Sequence, residues 1–375
     1  MIVAEKSNKK ILRSENYNYN YNKDTGYFER WGKTTEPIDD PQVSPFGPEI
    51  LDLEISSGGD CQGKCPFCYK CNGEAGDPTH NMTFEEFKII FDKMPKILTQ
   101  IAFGIMDIQT NPDFFKMMEY AKEHGVAPNY TCHGLDMTPE LAKRTAGLCG
   151  AVAVSLVSKT KTFNTIKMLL AEGMRQVNIH YMLSEETYDK AFEIVNEISA
   201  DPEMKDFNAI VFLQYKSKGR NPDGFHSVLD TKKYKALTDH CESKDMRYGF
   251  DSCSGPIFIE SIKANITPFD ANLSINENYI REFFNRKRKE NEDFISMFVE
   301  PCESGLFSSY INCYGEFFVC SFAEDEDDWK VGLDALGCED FLKDIWHNPR
   351  LIAWRERLLL GKRACPIYDL AIETV

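Results

Sequence analysis

Apolar and polar positions recur with two different periods along this 375-residue chain, and the switches between them mark its elements. Near the start, Tyr17, Tyr19 and Tyr21 alternate with asparagine, and Lys23-Asp24-Thr25-Gly26 interrupts before Tyr27-Phe28-Glu29-Arg30-Trp31. Period-two aromatics around an Asp/Gly turn predict a β-hairpin. Pro37, Pro41, Pro45 and Pro48 then make an extended linker in which helix is disfavoured. From Glu49 six strand-like runs follow, over Ile50–Ile55, Ile101–Asp107, Asn129–Cys132, Ala151–Leu156, Val177–Leu183 and Ala209–Tyr215. Helical periodicity separates them. Thr83-x-x-Glu86 is a capping box with Phe84, Phe87, Phe91 and Met94 on one face; Pro112–His124 ends at Gly125; Thr138-Pro139-Glu140 opens another helix; Thr162–Gly173 and Glu185–Ile198 complete the set. Six such units in succession predict an α/β fold with a parallel sheet, curved or closed, and helices outside. Ligands of such folds sit at the carboxyl ends of the strands.

Past Gly219-Arg220 the alternation fades. A helix near Tyr234–Lys244, a strand ending at Asp251-Ser252-Cys253 and a polar helix over Glu277–Glu292 are expected. A second hairpin pairs Phe307–Asn312 with Glu316–Ser321 through Tyr314-Gly315, and apolar periodicity returns at Phe341–Ile345 and Leu351–Leu360. The expected domains are 1–48 (hairpin and linker), 49–225 (the β/α part) and 226–375 (a small α+β part).

Composition narrows the class. The chain is 42% hydrophobic and 27% charged, which suits a globular core. No run approaches the ~18 apolar residues of a membrane span, and MIVAEKSNKK lacks a signal-peptide apolar core, so a cytoplasmic protein is expected. A net charge of −16 makes nucleic acid an unfavourable partner. Thirteen cysteines, an odd number without an export signal, point to reduced thiols or metal ligation.

Three of them, Cys61, Cys65 and Cys68, are spaced C-x3-C-x2-C directly after the first strand of the β/α part. Thiolates are the usual ligands of iron–sulfur clusters, and three in one loop can wrap a cubane while leaving one iron open. The competing reading is a zinc site with Cys71 as fourth ligand. Gly58, Gly59 and Gly63 let the backbone bend closely around either body.

The run Cys61-Gln-Gly-Lys-Cys65-Pro-Phe67-Cys68-Tyr69, set after the first of six β/α units, resembles the signature of the radical S-adenosylmethionine (SAM) enzymes over residues 50–220. The resemblance implies a partial (β/α)6 TIM-like barrel and a [4Fe–4S] cluster on Cys61, Cys65 and Cys68. It further implies that SAM chelates the open iron, with Phe67 near the adenine. An electron from the cluster then cleaves SAM to methionine and a 5′-deoxyadenosyl radical, which takes a substrate hydrogen. Ile105-Met106-Asp107-Ile108 stands where the family has Gly-Gly-Glu-Pro, so Asp107 keeps a carboxylate for the methionyl ammonium while the glycines are lost. Cys132-His133-Gly134 replaces a Thr-Asn-Gly segment, Ser155 matches a strand-four serine that contacts SAM, and Lys167 is the nearest basic equivalent of an arginine in the next helix.

Cys302 and Cys320 bracket the second hairpin, Gly315 stands five residues before Cys320, and Cys365-Pro366 follows near the end. This resembles the twitch subdomain, a shortened SPASM domain, and implies a second, auxiliary [4Fe–4S] cluster. Cys253 is the expected fourth ligand, with Cys313 and Cys338 as alternatives, or the cluster has three ligands and an open iron for substrate; unrelated buried thiols are the competing reading. His133 and His180 end strands facing the barrel mouth, as proton acceptors, SAM contacts or packed histidines. Cys132 is a candidate hydrogen-atom donor or an inert core thiol. Tyr215, Lys216 and Arg220 either orient an anionic group or are simply solvated.

The function implied is hydrogen abstraction on a ribosomal peptide or protein, with a flavodoxin- or ferredoxin-type reductant and a separate peptide-recognition protein as possible partners. The alternatives are a small-molecule dehydrogenase or nucleotide-modifying enzyme of the same kind, and a non-catalytic iron–sulfur or zinc protein.

Overall fold

Four strands, β1 (Ile2–Lys6), β2 (Lys9–Arg13), β3 (Asn18–Asn22) and β4 (Phe28–Trp31), form an antiparallel meander in chain order. The predicted hairpin is its second half, and the lysine-rich start of the chain supplies the other two strands. The computed structural model describes residues 1–6, 8–34, 39–263, 301–324, 326 and 331–368, with residues 278, 282, 286, 289, 290 and 299. The polar helix expected over Glu277–Glu292 falls largely outside these.

The meander is held by the alternation that predicted it. Tyr17, Tyr19 and Tyr21 are at most 1% exposed, and they cluster with Leu12 against Ile97 and Ala127. Burying a phenol strands its hydroxyl unless a partner is found. Tyr19 donates to the Ile97 carbonyl at 2.8 Å and Tyr17 to Ser44 Oγ at 3.0 Å.

The main body is one ten-stranded sheet. Its parallel strands are β5 (Ile50–Glu54), β8 (Gln100–Gly104), β9 (Ala127–Cys132), β10 (Val152–Ser155), β11 (Val177–Leu183), β12 (Ala209–Gln214) and β13 (Tyr248–Phe250), side by side in that order. A two-stranded ribbon, β6 (Ser56–Ser57) with β7 (His80–Asn81), follows β5. Helices α1 (Phe84–Lys93), α2 (Phe114–Glu123), α3 (Pro139–Leu148), α4 (Lys159–Ala171), α5 (Tyr188–Ala200) and α6 (Thr231–Ser243) alternate with the strands. Helix α7 (Gly255–Ile262) follows β13. The capping box at Thr83 and Glu86 is present in both directions, a feature that contributes about 1 kcal/mol. Ile97 and Ala127 lie at the amino ends of β8 and β9, so the meander closes the barrel floor.

The second hairpin does not build a sheet of its own. Strand β14 (Ser308–Ile311) pairs in parallel with β5, and β15 (Glu316–Phe318) and β16 (Leu333–Asp334) extend the sheet antiparallel from it. On the other edge β13 adds a seventh parallel strand. The expected boundary at residue 225 therefore falls inside a continuous sheet. The fold is a partial, open β/α barrel whose two edges both carry C-terminal residues. A closing helix spans Pro349–Leu360.

Exposure alternates sharply along the barrel strands. Ile101, Phe103, Val152, Val154, Ile179, Tyr181, Ile210 and Phe212 point to the helices and are at most 4% exposed. Their neighbours Ala102, Ser155, His180 and Val211 are partly exposed and Asp52 is exposed. A filled barrel buries both sets. Here the lumen is hollow and reached by solvent.

Candidate functional site

The three signature cysteines lie on the loop from β6 to β7, at the carboxyl end of the sheet. The loop folds back through Cys68 N–H to the Cys65 carbonyl (3.1 Å), Cys71 N–H to the Cys68 carbonyl (3.2 Å) and Gly73 N–H to the Gly58 carbonyl (2.9 Å). Asn72 Oδ1 takes the Gly58 N–H at 2.9 Å and the Ser57 hydroxyl at 3.0 Å. A β-carbon on Gly63 would stand 3.4 and 3.5 Å from the sulfurs of Cys61 and Cys65, so glycine there leaves room beside the thiols. Burial pushes the Cys65 thiol up to about 11, and the neighbouring Cys68 and Cys61 sulfurs push the same way. Burial likewise pushes the Cys61 thiol up, so two thiols crowded beside a third form a donor set that a cation would suit, as an iron–sulfur body would supply.

Arg220, beyond the end of β12, clamps this loop. Its guanidinium donates to the carbonyls of Cys65 (2.8 Å), Cys71 (3.1 Å) and Asn72 (2.6 Å), and its own N–H to the Cys68 carbonyl at 3.0 Å. Gly219 has φ +86°, and a β-carbon there would lie 2.2 Å from the Cys68 oxygen. The Arg220 Nε also lies 3.6 Å from Glu74 Oε1, so the side chain is engaged by the cysteine loop itself.

Beside Cys61 lies a buried polar cluster at the ends of β8 and β9. Asp107 Oδ2 accepts from Gln62 N–H at 3.0 Å, and Asp107 Oδ1 is 3.1 Å from His133 Nε2. Asp107 and His133 are 5% and 7% exposed. The Leu135 N–H donates to His133 Nδ1 at 3.0 Å, which leaves the proton on Nε2 in the neutral ring. Asp136 Oδ2 takes the Ile108 N–H at 2.7 Å. Asp107 Oδ1, His133 Nε2 and Asp136 Oδ1 are buried and have no partner of good hydrogen-bond geometry. Among the described residues, Cys61, Asp107 and His133 are the one trio with ligand atoms mutually within 4.8 Å.

Ser155 and His180 face the lumen side by side, being partners in the register of β10 and β11. Burial holds the imidazole down at about 4, so it is neutral near pH 7. Asp52, from β5, also faces the lumen, and the protein surrounding it pushes its carboxyl up to about 6. Phe67 meets Phe225 edge-on at 5.8 Å and borders a cleft of about 320 Å³ lined also by Leu156, Lys159, Tyr181 and Met182.

The second cysteine set converges from four places in the chain: after β13 (Cys253), before β14 (Cys302), after β15 (Cys320) and after the closing helix (Cys365). Cys253 and Cys365 act directly on each other, which holds the Cys365 thiol below and the Cys253 thiol well above the ordinary value. Cys302 lies in electrostatic reach of Cys253, Cys320 and Cys365. Burial pushes Cys320 up to about 12. Cys313 sits instead by Glu54, and Cys338 by the Ala335 carbonyl at 3.3 Å. Four thiols gathered around one place, with no three of them closing to the 4.8 Å of a single-ion group, fit a cluster's donor set.

The two cysteine sites are bolted together. Tyr69, next to Cys68, stacks on Phe322, two residues past Cys320, at 4.4 Å and 18°. Lys70 pairs with Glu54 at 3.2 Å and with Glu324, and reaches Tyr310 Oη at 3.2 Å.

Two expected site residues lie elsewhere. Cys132 shares the helix-facing side of β9 with Tyr130, whose hydroxyl bonds Thr145 of α3, and burial pushes its thiol up to about 12. Strand alternation turns it away from the lumen. Lys167 is on the outer face of α4, paired with Asp201 and Glu203 at 2.7 Å each, because its helix offers the lumen no side. Sequence reading missed the clamping role of Arg220 and the part of Asp136; the Gly219-Arg220 pair after the last long strand was the available signal for the first.

No family model matches the chain, and no curated protein matches it. Solved structures do. SuiB of Streptococcus suis bound to its precursor peptide SuiA superposes with a TM-score of 0.64 at 12% identity, covering 94% of this chain and 90% of that one. SuiB bound to S-adenosylmethionine gives 0.62 at 12% over the same shares. Native anSMEcpe with bound AdoMet and the Cp18Cys peptide gives 0.53 at 14%, covering 82% of each chain. At such identity the likeness is one of fold, the partial β/α barrel that this chain shares with them.

Proposed function

We propose that this protein is a radical SAM enzyme that modifies a peptide or protein substrate. The observation that carries the reading is the pair Asp107 and His133, buried and set directly against Cys61 at the mouth of the barrel, with the buried carboxylate oxygens Asp107 Oδ1 and Asp136 Oδ1 lacking a hydrogen bond of good geometry. Leaving a buried carboxylate oxygen without a donor costs about 1–3 kcal/mol, so these two oxygens favour a ligand with hydrogen-bond donors and positive charge.

Cys61, Cys65 and Cys68 would hold a [4Fe–4S] cluster, and Cys253, Cys302, Cys320 and Cys365 an auxiliary one. When bound, the first cluster supplies the electron that makes SAM a source of a hydrogen-abstracting radical. The protein's own part is placement. Asp107 and Asp136 offer carboxylate oxygens to the methionyl ammonium, with His133 alongside. Ser155 and Phe67 flank the position expected for the rest of the cofactor, and neutral His180 can take a hydrogen bond without adding charge. Asp52, its carboxyl raised to about 6, leaves the lumen able to exchange a proton with a substrate near neutral pH. Arg220 keeps the cysteine loop closed, and the hollow lumen admits the reacting part of the substrate.

Peptide modification is favoured over a small-molecule substrate because the fold is shared, over more than nine-tenths of this chain, with a protein solved on its precursor peptide. The meander is on the barrel floor, about five strand residues or ~17 Å from the mouth, so a peptide bound on its edge would enter the lumen only through a long connection. That favours a separate recognition protein. A flavodoxin- or ferredoxin-type reductant and a cytoplasmic setting complete the proposal.

Anaerobic reconstitution tests it. About eight irons and eight sulfides per chain are expected for two cubanes, against about four and four for one. Dithionite with SAM should release 5′-deoxyadenosine, and Cys61→Ala, Cys65→Ala and Cys68→Ala together should abolish that while leaving the auxiliary absorbance. Zinc without labile sulfide would refute the enzyme reading. A small peptide encoded beside the gene that changes mass on incubation would support the substrate class, whereas turnover of an alcohol or nucleotide alone would overturn it.

A further inference from the structure

The segment after β12 places three basic side chains in alternation, and each reaches a different part of the mouth. Arg220 clamps the signature loop, Lys218 Nζ donates to the Phe322 carbonyl at 2.8 Å, and Lys216 turns inward. Lys216 is 5% exposed. Its ammonium contacts Asp251 Oδ2 and the Gln214 carbonyl at 2.9 Å each and stands 4.6 Å from the centre of the Phe322 ring. Asp251 precedes Cys253 by two residues and Phe322 follows Cys320 by two. Of the described residues, Lys216 is a cation that acts on both Cys253 and Cys365.

A buried lysine is costly, and a single aspartate repays that cost only in part. Asp251 is itself committed elsewhere: Oδ1 accepts from the Ser254 hydroxyl at 2.5 Å and from the Ser254 N–H at 3.2 Å. The ammonium therefore has electrostatic work left to do towards the thiolates beside it.

We propose that Lys216 is a positioning residue of the auxiliary site, whose buried positive charge stabilises the more negative, reduced form of the cluster held by Cys253, Cys302, Cys320 and Cys365 and so raises its reduction potential. This rests on the auxiliary-cluster reading given above. Cluster charge and its surroundings set such potentials, and Coulomb interactions in a buried site are screened far less than in water. Asp251 opposes the effect, so the two residues pull the potential in opposite directions.

The test uses the full chain carrying Cys61→Ala, Cys65→Ala and Cys68→Ala, so that one cluster is read alone by EPR-monitored redox titration. Lys216→Gln should move its midpoint to a more negative value, Lys216→Arg should leave it near the parent, and Asp251→Asn should move it to a more positive value. If Lys216→Gln does not fold, the Asp251→Asn shift and the Lys216→Arg comparison carry the test. Unchanged midpoints, or shifts of the same sign in Lys216→Gln and Asp251→Asn, would overturn the inference while leaving the auxiliary cluster standing. Absence of any cluster in the triple-alanine parent would sink the auxiliary-cluster reading and this inference with it.

Discussion

The guanidinium of Arg220 donates to the carbonyl of Cys65 at 2.8 Å, across 155 residues of chain. With its bonds to Cys71 and Asn72 it holds three carbonyls of the signature loop in place. Hydrogen bonds from a charged donor contribute about 1.5–3 kcal/mol each, and three that act as a unit are not additive. Arg220→Ala should therefore loosen the loop by about 3 kcal/mol. The expected result is a chain that keeps its auxiliary iron, loses most of the signature-loop iron, and cleaves SAM at a small fraction of the parent rate. Full iron content with unchanged 5′-deoxyadenosine release would show the clamp to be dispensable.

Gly219 and Gly173 separate two kinds of glycine cost. Both have positive φ, +86° and +82°, but a β-carbon on Gly173 meets nothing within 4 Å whereas one on Gly219 lies 2.2 Å from the Cys68 carbonyl oxygen. Gly173→Ala should lose only the dihedral preference, about 1 kcal/mol. Gly219→Ala must in addition displace the signature loop. Urea midpoints should fall more for Gly219→Ala, and SAM cleavage should fall for that variant alone.

Lys70 compensates two carboxylates, Glu54 at 7% exposure and Glu324, where the signature loop meets β14. Lys70→Met leaves both facing a site of low dielectric, a loss of about 3–5 kcal/mol for breaking a buried pair from one side. Adding Glu324→Gln should restore part of that loss. Chemical denaturation of the single and double variants measures the recovery, and strict additivity would contradict the network.

His180 carries a sign that can be checked. Its folded value is about 4 against 6.5 for an ordinary histidine. Between those two pH values the unfolded chain binds a proton that the folded chain refuses, so stability falls as pH drops from 6.5 towards 4. At pH 5 that term reaches about 2 kcal/mol at most. Relative to the wild type, His180→Gln should lose less stability between pH 7 and pH 5, by denaturant midpoint at each pH. A parallel pH dependence in both proteins would mean the imidazole is not held neutral in the lumen.

Much of the molecule was legible along the chain because it depends on neighbours. Helix and strand positions follow from period and caps, as Thr83 with Glu86 illustrates, and the loop of Cys61, Cys65 and Cys68 is recognisable because its spacing is local. Asp107, Ser155 and His180 lie at strand ends on the side of the mouth, where the order of strands along the chain places them. For Cys132 the two readings, hydrogen-atom donor and inert core thiol, stayed open along the chain, since a one-residue step in a strand reverses the face; its burial on the helix side fits the core thiol. Lys167 is a like case on a helix, where nothing near it in sequence marks the outer side.

Order along the chain by itself determined the β/α alternation, the placement of three thiols after the first barrel strand, and an aromatic face at the amino end. Only the tertiary structure decided that this face closes the floor, that Arg220 belongs to the cysteine loop, and that Cys253, unlike Cys313 and Cys338, comes near Cys302 and Cys365. The physical reason is that local periodicity is set by backbone geometry within a few residues. Which distant strand ends become neighbours depends on sheet order and register, above all on β14 pairing with β5 and β13 with β12.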